Sequence, residues 1–192
     1  QMTSEWGVSA KQCVPTVNSP SISCVKPLSP TMQVGDVMVD FAMVGYADSD
    51  GDQNVGDEDL AVIRLSDYAD SKSLILFDVS AGWCETCQDA TEEQASLIAE
   101  YGGKGLMIVQ VLFEGGKLGE LPTVDFAKAW IAKLMPAGAL GIDPGRLSVP
   151  FNTLGSLPLT MLLDAKTRKV LSKMNGHHAQ ELRSQIQTHI LQ

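Results

Sequence analysis

Two cysteines three residues apart, in Trp83-Cys84-Glu85-Thr86-Cys87, sit where one hydrophobic period gives way to another. Before them, Leu74 to Val79 is a short, largely apolar run bounded by Ser and Gly, which predicts a buried strand. After them, Cys87, Ala90, Leu97, Ile98 and Tyr101 recur at helical spacing, and Gly102-Gly103 supplies a stop. A helix start presents unpaired N–H groups and the positive end of the helix dipole, which stabilise a thiolate. Cys84, at that mouth, is expected to be the more exposed sulfur. Cys87, one turn in, is expected to be more buried and near enough to close a disulfide. A Cys84 thiolate can attack a substrate disulfide, and Cys87 can then resolve the mixed disulfide. The same residues also admit half of a metal site or a purely structural bridge. A tetrahedral zinc site needs two more Cys or His ligands, and Cys13 and Cys24 have the wrong spacing for a second pair. Gln88, not His, follows Cys87, which argues against covalent haem attachment.

The rest of the chain supplies further elements. Val37 to Tyr46 and Ala61 to Leu65 read as strands joined by a long loop, and Leu106 to Phe113 as another buried strand. Thr123 can cap a helix whose Phe126, Trp130, Ile131 and Leu134 share one face, with Pro136 and Gly138 ending it. Leu159 to Leu163 and Lys169 to Met174 are strands around an Asp164–Arg168 turn, and Leu182, Ile186 and Ile190 are the apolar stripe of a last helix. This order predicts an α/β domain over 36–192, with a central mixed sheet covered on both faces. Trp130 is expected in the core by its helical phase, and the adjacent His177-His178 on the surface. With 44% hydrophobic and 19% charged residues, the 192-residue chain can bury a core. A net charge of −9 argues against nucleic acid or an anionic membrane surface as partner. Gln110 breaks the longest apolar run, so no segment spans a bilayer.

Residues 1–35 carry Pro15, Pro20, Pro27, Pro30 and many Ser and Thr, and read as an irregular N-terminal extension. Cys13 and Cys24 fall where no apolar core can hold the chain. A disulfide between them would contribute roughly 3 kcal/mol and fits an oxidising compartment; two free thiols in a cytosolic tail are the other reading. No signal peptide is visible at Gln1, which is compatible with a processed chain or with a lipid or membrane tether ahead of it.

Six carboxylates and no base lie between Asp48 and Asp59, two thirds of the net charge. Asp48, Asp50, Asp52, Asn54 and Asp59 occupy positions 1, 3, 5, 7 and 12 of a twelve-residue calcium-type loop, with Asn54 offering its carbonyl and Val55 as the apolar anchor. The loop's end, Asp59-Leu60, resembles the dockerin version of an EF-hand loop. Gln53 stands where such loops have Gly, and Asp59 reaches less far than a Glu. The expectation is a structural Ca²⁺ bound at ~10⁻⁴–10⁻³ M; the alternative is a solvated acidic loop.

The stretch Leu74-Ile75-Leu76-Phe77-Asp78-Val79-Ser80-Ala81-Gly82-Trp83-Cys84-Glu85-Thr86-Cys87 resembles the active-site strand and helix start of the thioredoxin superfamily. The wider arrangement is similar to its redoxin branch, the TlpA-like extracytoplasmic thiol–disulfide oxidoreductases of bacteria. Leu65-Ser66-Asp67-Tyr68, Leu157-Pro158-Leu159-Thr160 before Met161 to Asp164, and a helical insertion at 123–135 match that branch, so the resemblance covers 36–192. It implies a thioredoxin-like fold and exchange of dithiol for disulfide with a protein substrate and a protein thiol partner, by a monomer in the periplasm or cell envelope, with no redox cofactor. It further implies that Pro158 is cis and faces the Cys84–Cys87 pair, and that Trp83 shields the disulfide. Asp78, six residues before Cys84, is implied to be a buried acid that accepts the Cys87 proton. Glu85, with Asp89, Glu92 and Glu93 behind it, opposes the helix dipole, which predicts a reductant. A thiol peroxidase is the alternative enzyme, although the helix start lacks the Thr-x-x-Cys arrangement that would activate a peroxidatic sulfur. A calcium-dependent binding module with a static bridge is the alternative outside enzymes.

Overall fold

The structure, a computed structural model, describes residues 32–40, 42–48 and 56–190. A seven-stranded mixed sheet organises it. The strands are β1 (Ala42–Tyr46), β2 (Leu60–Arg64), β3 (Leu74–Ala81), β4 (Leu106–Glu114), β5 (Ala139–Ile142), β6 (Leu159–Asp164) and β7 (Val170–Asn175), in the order β2-β1-β5-β4-β3-β6-β7. The three central strands β3, β4 and β5 run parallel to one another, and every other pairing is antiparallel. The helices are α1 (Glu85–Tyr101), α2 (Val124–Leu134) and α3 (Ala179–Ile190). This is the expected thioredoxin-like α/β architecture, and among the described residues no helix is long and apolar enough to cross a membrane.

Strand alternation sorts the core into two faces. Leu74 and Leu76 of β3, Leu106 and Ile108 of β4 and Leu162 of β6 pack with Leu97 and Tyr101 of α1 and with Leu182, Ile186 and Ile190 of α3. Farther along the same face, Leu112, Leu140 and Ile142 pack with Ala127, Trp130 and Leu134 of α2. Odd positions such as Ile75, Phe77, Val79, Val109 and Val111 point the other way. There they are covered by Met32, Met38, Leu65 and Phe151, none of which lies in an α-helix. Both faces are covered as expected, but among the described residues all three helices lie on one of them.

Thr123 caps α2 as its sequence predicts, its Oγ1 accepting from Phe126 N at 3.1 Å. The C-terminus is set by Met135, whose φ of 46° is the left-handed cap conformation, one residue ahead of the predicted Pro136 stop. Strand β5 has no counterpart in the sequence reading. Ala-Leu-Gly-Ile has little strand character of its own and becomes a strand because β1 and β4 pair with its two edges. Gly45 and Gly141 are partners across β1 and β5, and a Cβ on Gly45 would stand 2.0 Å from the Leu140 carbonyl oxygen.

β1 and β2 are adjacent and antiparallel, with Tyr46 opposite Leu60, so the acidic segment leaves and returns at one end of a strand pair. Asp50, Asp52 and Asn54 lie outside the described residues, as do Cys13 and Cys24. Asp59 is buried, and its carboxylate accepts from Gly56 N at 3.0 Å.

Candidate functional site

Cys84 is the N-cap of α1 and Cys87 lies in its first turn. The two are joined as a disulfide with 5.2 Å between Cα atoms. Cys84 is 8% exposed and Cys87 0%, the order expected of an attacking and a resolving sulfur. The Cys87 amide is shared between the Cys84 carbonyl at 3.1 Å and Cys84 Sγ at 3.2 Å, so an N–H at the helix mouth reaches the outer sulfur. Such a donor favours the thiolate over the thiol. Ala81, Phe113 and Leu157 complete an apolar collar around the pair. The Leu157–Pro158 peptide is cis, which brings the loop before β6 against that collar.

The approach from β3 to α1 is narrow. β3 and β4 shift register between Ser80 and Ala81, so Ala81 comes opposite Glu114. Gly82 follows, where a Cβ would lie 2.3 Å from the Phe126 ring and 2.6 Å from the Gly115 carbonyl oxygen. Only glycine fits between β3 and α2 at that point. Trp83 then emerges 39% exposed, and its indole Nε1 donates to Glu114 Oε2 at 2.6 Å. The other Glu114 oxygen is 2.8 Å from Arg146, which also donates to the Gly119 carbonyl at 3.1 Å. Trp83 is thus tied at its edge to an ion pair whose carboxylate is buried and whose guanidinium is part-exposed. Glu85 is exposed on the outer turn of α1.

Beneath the disulfide lies a second polar group. The register sets Asp78 of β3 between Gln110 of β4 and Thr160 of β6, on the helix-covered face. Asp78 is 4% exposed; it accepts from Ser80 Oγ, from Gln110 Nε2 at 3.3 Å and from Thr160 Oγ1 at 3.3 Å. Gln110 Nε2 also donates to Thr91 Oγ1 at 2.7 Å, and Thr91 donates in turn to the Cys87 carbonyl at 2.7 Å. Trp130 Nε1 donates to Gln110 Oε1 at 3.1 Å and fixes the amide. The chain Asp78–Gln110–Thr91–Cys87 links the buried acid to the turn that carries the inner sulfur. Burial pushes the Asp78 carboxyl above the ordinary carboxylate range, while the three hydrogen bonds and a weaker attraction from His177 oppose the shift. A carboxyl so placed can exist protonated nearer neutrality than a solvated one.

Sequence reasoning singled out Cys84, Cys87, Asp78, Pro158, Trp83 and Glu85, and the structure gathers the first five at the N-terminus of α1 and directly below it. It missed Gln110, Thr91, Ser80 and Glu114. Gln110 was visible as the break in the β4 apolar run, and Thr91 and Gln94 as polar residues on a helical stripe that should be apolar. His177 is half-buried, 3.3 Å from Glu93, and not the plain surface residue its place on a turn suggests. Among the described residues no group of three or more His, Cys, Asp or Glu could hold a metal.

A mixed sheet, a Cys-x-x-Cys disulfide at the first helix N-terminus and a cis-proline loop beside it define a thioredoxin-like fold. Solved structures agree. A Chlorobium tepidum protein assigned as thiol:disulfide interchange protein DsbE superposes with a TM-score of 0.64 at 22% identity, over 83% of this chain and 99% of that one. The thioredoxin domain of a Bacteroides vulgatus thiol-disulfide oxidoreductase gives 0.60 at 15% identity, over 83% and 99%. The exposed lipoprotein thioredoxin Etrx1 of Streptococcus pneumoniae gives 0.57 at 21% identity, over 78% and 99%. No family model matches the chain, and no curated protein matches it.

Proposed function

We propose that the protein exchanges its Cys84–Cys87 dithiol for disulfides of protein substrates, as a reductant working outside the cytoplasm. One observation carries the reading: a nearly buried outer sulfur that receives a helix amide, bridged to the fully buried sulfur of Cys87, whose backbone carbonyl is linked through Thr91 and Gln110 to an acid of raised pKa. In the reduced protein the Cys84 thiolate attacks a substrate disulfide, one S–S bond forms, and the first substrate sulfur leaves as thiolate. Cys87 gives its proton to the Asp78 carboxylate and attacks Cys84 Sγ. The mixed disulfide breaks, the Cys84–Cys87 bond closes, and the second substrate sulfur leaves. Two electrons pass to substrate, and two thiol protons return to its thiolates through solvent.

Two features support the reducing direction. Glu85, Asp89 and Glu92 are exposed on the first turns of α1, where negative charge opposes the dipole and makes the Cys84 thiolate a poorer leaving group. The collar also leaves little of Cys84 exposed. A location outside the cytoplasm is supported by the exposed lipoprotein among the structural neighbours and by a second cysteine pair in the chain. Insulin reduction and the redox potential test the reading together. Wild type is expected to reduce insulin and Cys84→Ser to fail. A potential near about −120 mV, that of a strong oxidant, would overturn the direction.

A further inference from the structure

A small cavity of about 20 Å³ lies on the helix-covered face behind the disulfide, lined by Asp78 and Thr160 from the sheet, Glu93 and Gln94 from α1, and His177 and His178 before α3. Its lining grades from buried to exposed. Asp78, Thr160 and Gln94 are 4%, 5% and 2% exposed, His177 is half-buried and His178 exposed. The Oε1 atom of Gln94 is buried there with no hydrogen-bond partner. A buried amide oxygen left unpaired costs about 1–3 kcal/mol, and an apolar side chain would avoid that cost on the stripe of α1 that carries Leu97 and Tyr101. A cavity of this size holds one water, which needs two to four polar partners; the Gln94 oxygen, Asp78, Thr160 and His177 are of that kind.

We propose that the cavity is a water site and that His177 passes protons through it between Asp78 and solvent. The inference rests on the reading of Asp78 as the acceptor of the Cys87 proton. Closure leaves that proton on a carboxyl sealed from the substrate side by the disulfide and its collar, so that until Cys87 is reduced again and can take it back, its exchange with solvent needs another route. His177 is suited to take it. Its Nε2 is 3.3 Å from Glu93 Oε2, and Glu93 is held in place by Arg183 Nη2 at 2.9 Å. The groups facing this route are Asp78 from β3, Thr160 from β6, Glu93 and Gln94 from α1, Arg183 from α3, and His178, whose Nε2 lies 3.0 Å from the Asn175 carbonyl. In the step itself the Asp78 O–H bond breaks, the water receives that proton and gives one of its own to the neutral His177 ring, and the imidazolium releases it to bulk. No electrons move. His177 is a positioning residue that acts on the chemistry only through Asp78.

The test mixes the reduced protein repeatedly with oxidised glutathione under multiple turnover with a thiol reductant, and in single turnover. Samples are acid-quenched and alkylated so that mass separates the mixed disulfide from the closed one. A pH-indicator dye in weak buffer follows proton release to bulk beside closure in the same single turnover. His177→Gln and Gln94→Leu are each expected to slow release about tenfold at neutral pH, with the initial attack and closure unchanged. Release is expected to show a larger solvent isotope effect in both variants than in the wild type, and added imidazole is expected to restore His177→Gln but not Gln94→Leu, which lacks the water's buried acceptor. Gln94→Leu removes an unpaired oxygen and so keeps the fold. Release at wild-type rate in both variants, or a slow His177→Gln that imidazole does not restore, overturns the relay. If closure is also unaffected by Asp78→Asn, it is the assignment of Asp78 that fails.

Discussion

Two carboxylates flank the disulfide, on adjacent strands and almost equally buried: Asp78 at 4% exposure and Glu114 at 5%. They are held in opposite ways. Glu114 faces a full cation, Arg146 at 2.8 Å, and an indole N–H at 2.6 Å. Asp78 has neutral donors only (a serine, a threonine and an amide), and beside them a weaker attraction from His177. Breaking a charge pair inside a protein is costly, whereas a carboxyl held by neutral dipoles alone has no counter-ion to lose when it takes up a proton. The difference assigns the jobs. Under the proposed function, Glu114 would fix the exposed Trp83 beside Cys84, the side that substrate meets, and Asp78 would serve the inner sulfur, where a proton moves.

Exchanging the charge of each acid breaks the comparison most directly. Asp78→Asn keeps the shape and an acceptor for Ser80 but cannot take a proton. Closure of the Cys84–Cys87 disulfide from the mixed disulfide is expected to slow about 100-fold at neutral pH, with the first attack by Cys84 little changed. Quenched-flow trapping of the mixed disulfide measures it, and an unslowed closure would remove Asp78 from the chemistry.

Glu114→Leu is expected to act on stability and on Trp83. It strands the Arg146 guanidinium and leaves the indole N–H without its acceptor, at a cost of about 1–3 kcal/mol, a fall in Tm of about 2–4 °C for each. Arg146 is 40% exposed and rehydrates in part, which keeps the loss below that of a fully buried pair. Calorimetry gives the stability and indole fluorescence the release of Trp83. The closure step is expected to keep the shape of its pH profile; a profile displaced as in Asp78→Asn would show that the two acids are not separate.

The half of this comparison that lies along the chain was legible in the sequence. The strand-to-helix junction, the order of exposure of Cys84 and Cys87 and the Thr123 cap follow from local periodicity and from one motif, and the buried place of Asp78 from the resemblance to thioredoxins. The other half depends on residues brought together across the sheet. Thr160 meets Asp78 from 82 residues away and Gln110 from 32, and nothing in their own segments names those partners. A polar residue in an apolar run shows that something unusual is buried there, not what it faces. Strand β5 was hidden for a related reason, since its strand form comes from two neighbours, and the single-sided placement of the helices emerges only once the strand order is set.

The smallest expected effect separates the acids by pH. Burial raises the Asp78 pKa in the folded state above its unfolded value, so the folded protein binds more protons than the unfolded chain between the two. Stability contributed by the protonated carboxyl is therefore full below the ordinary carboxylate range and is lost as pH rises through the raised folded value. Asp78→Asn has no such loss. Its Tm relative to wild type is expected to climb over that window by an amount on the order of a few °C and then to level off. Glu114→Leu, which strands Arg146 and the Trp83 indole N–H and leaves Asp78 in place, is expected to show no such climb. Melting curves of the three proteins from acid to mildly alkaline pH decide it, and an Asp78→Asn difference that falls with rising pH would mean that the Asp78 carboxylate is stabilised in its site.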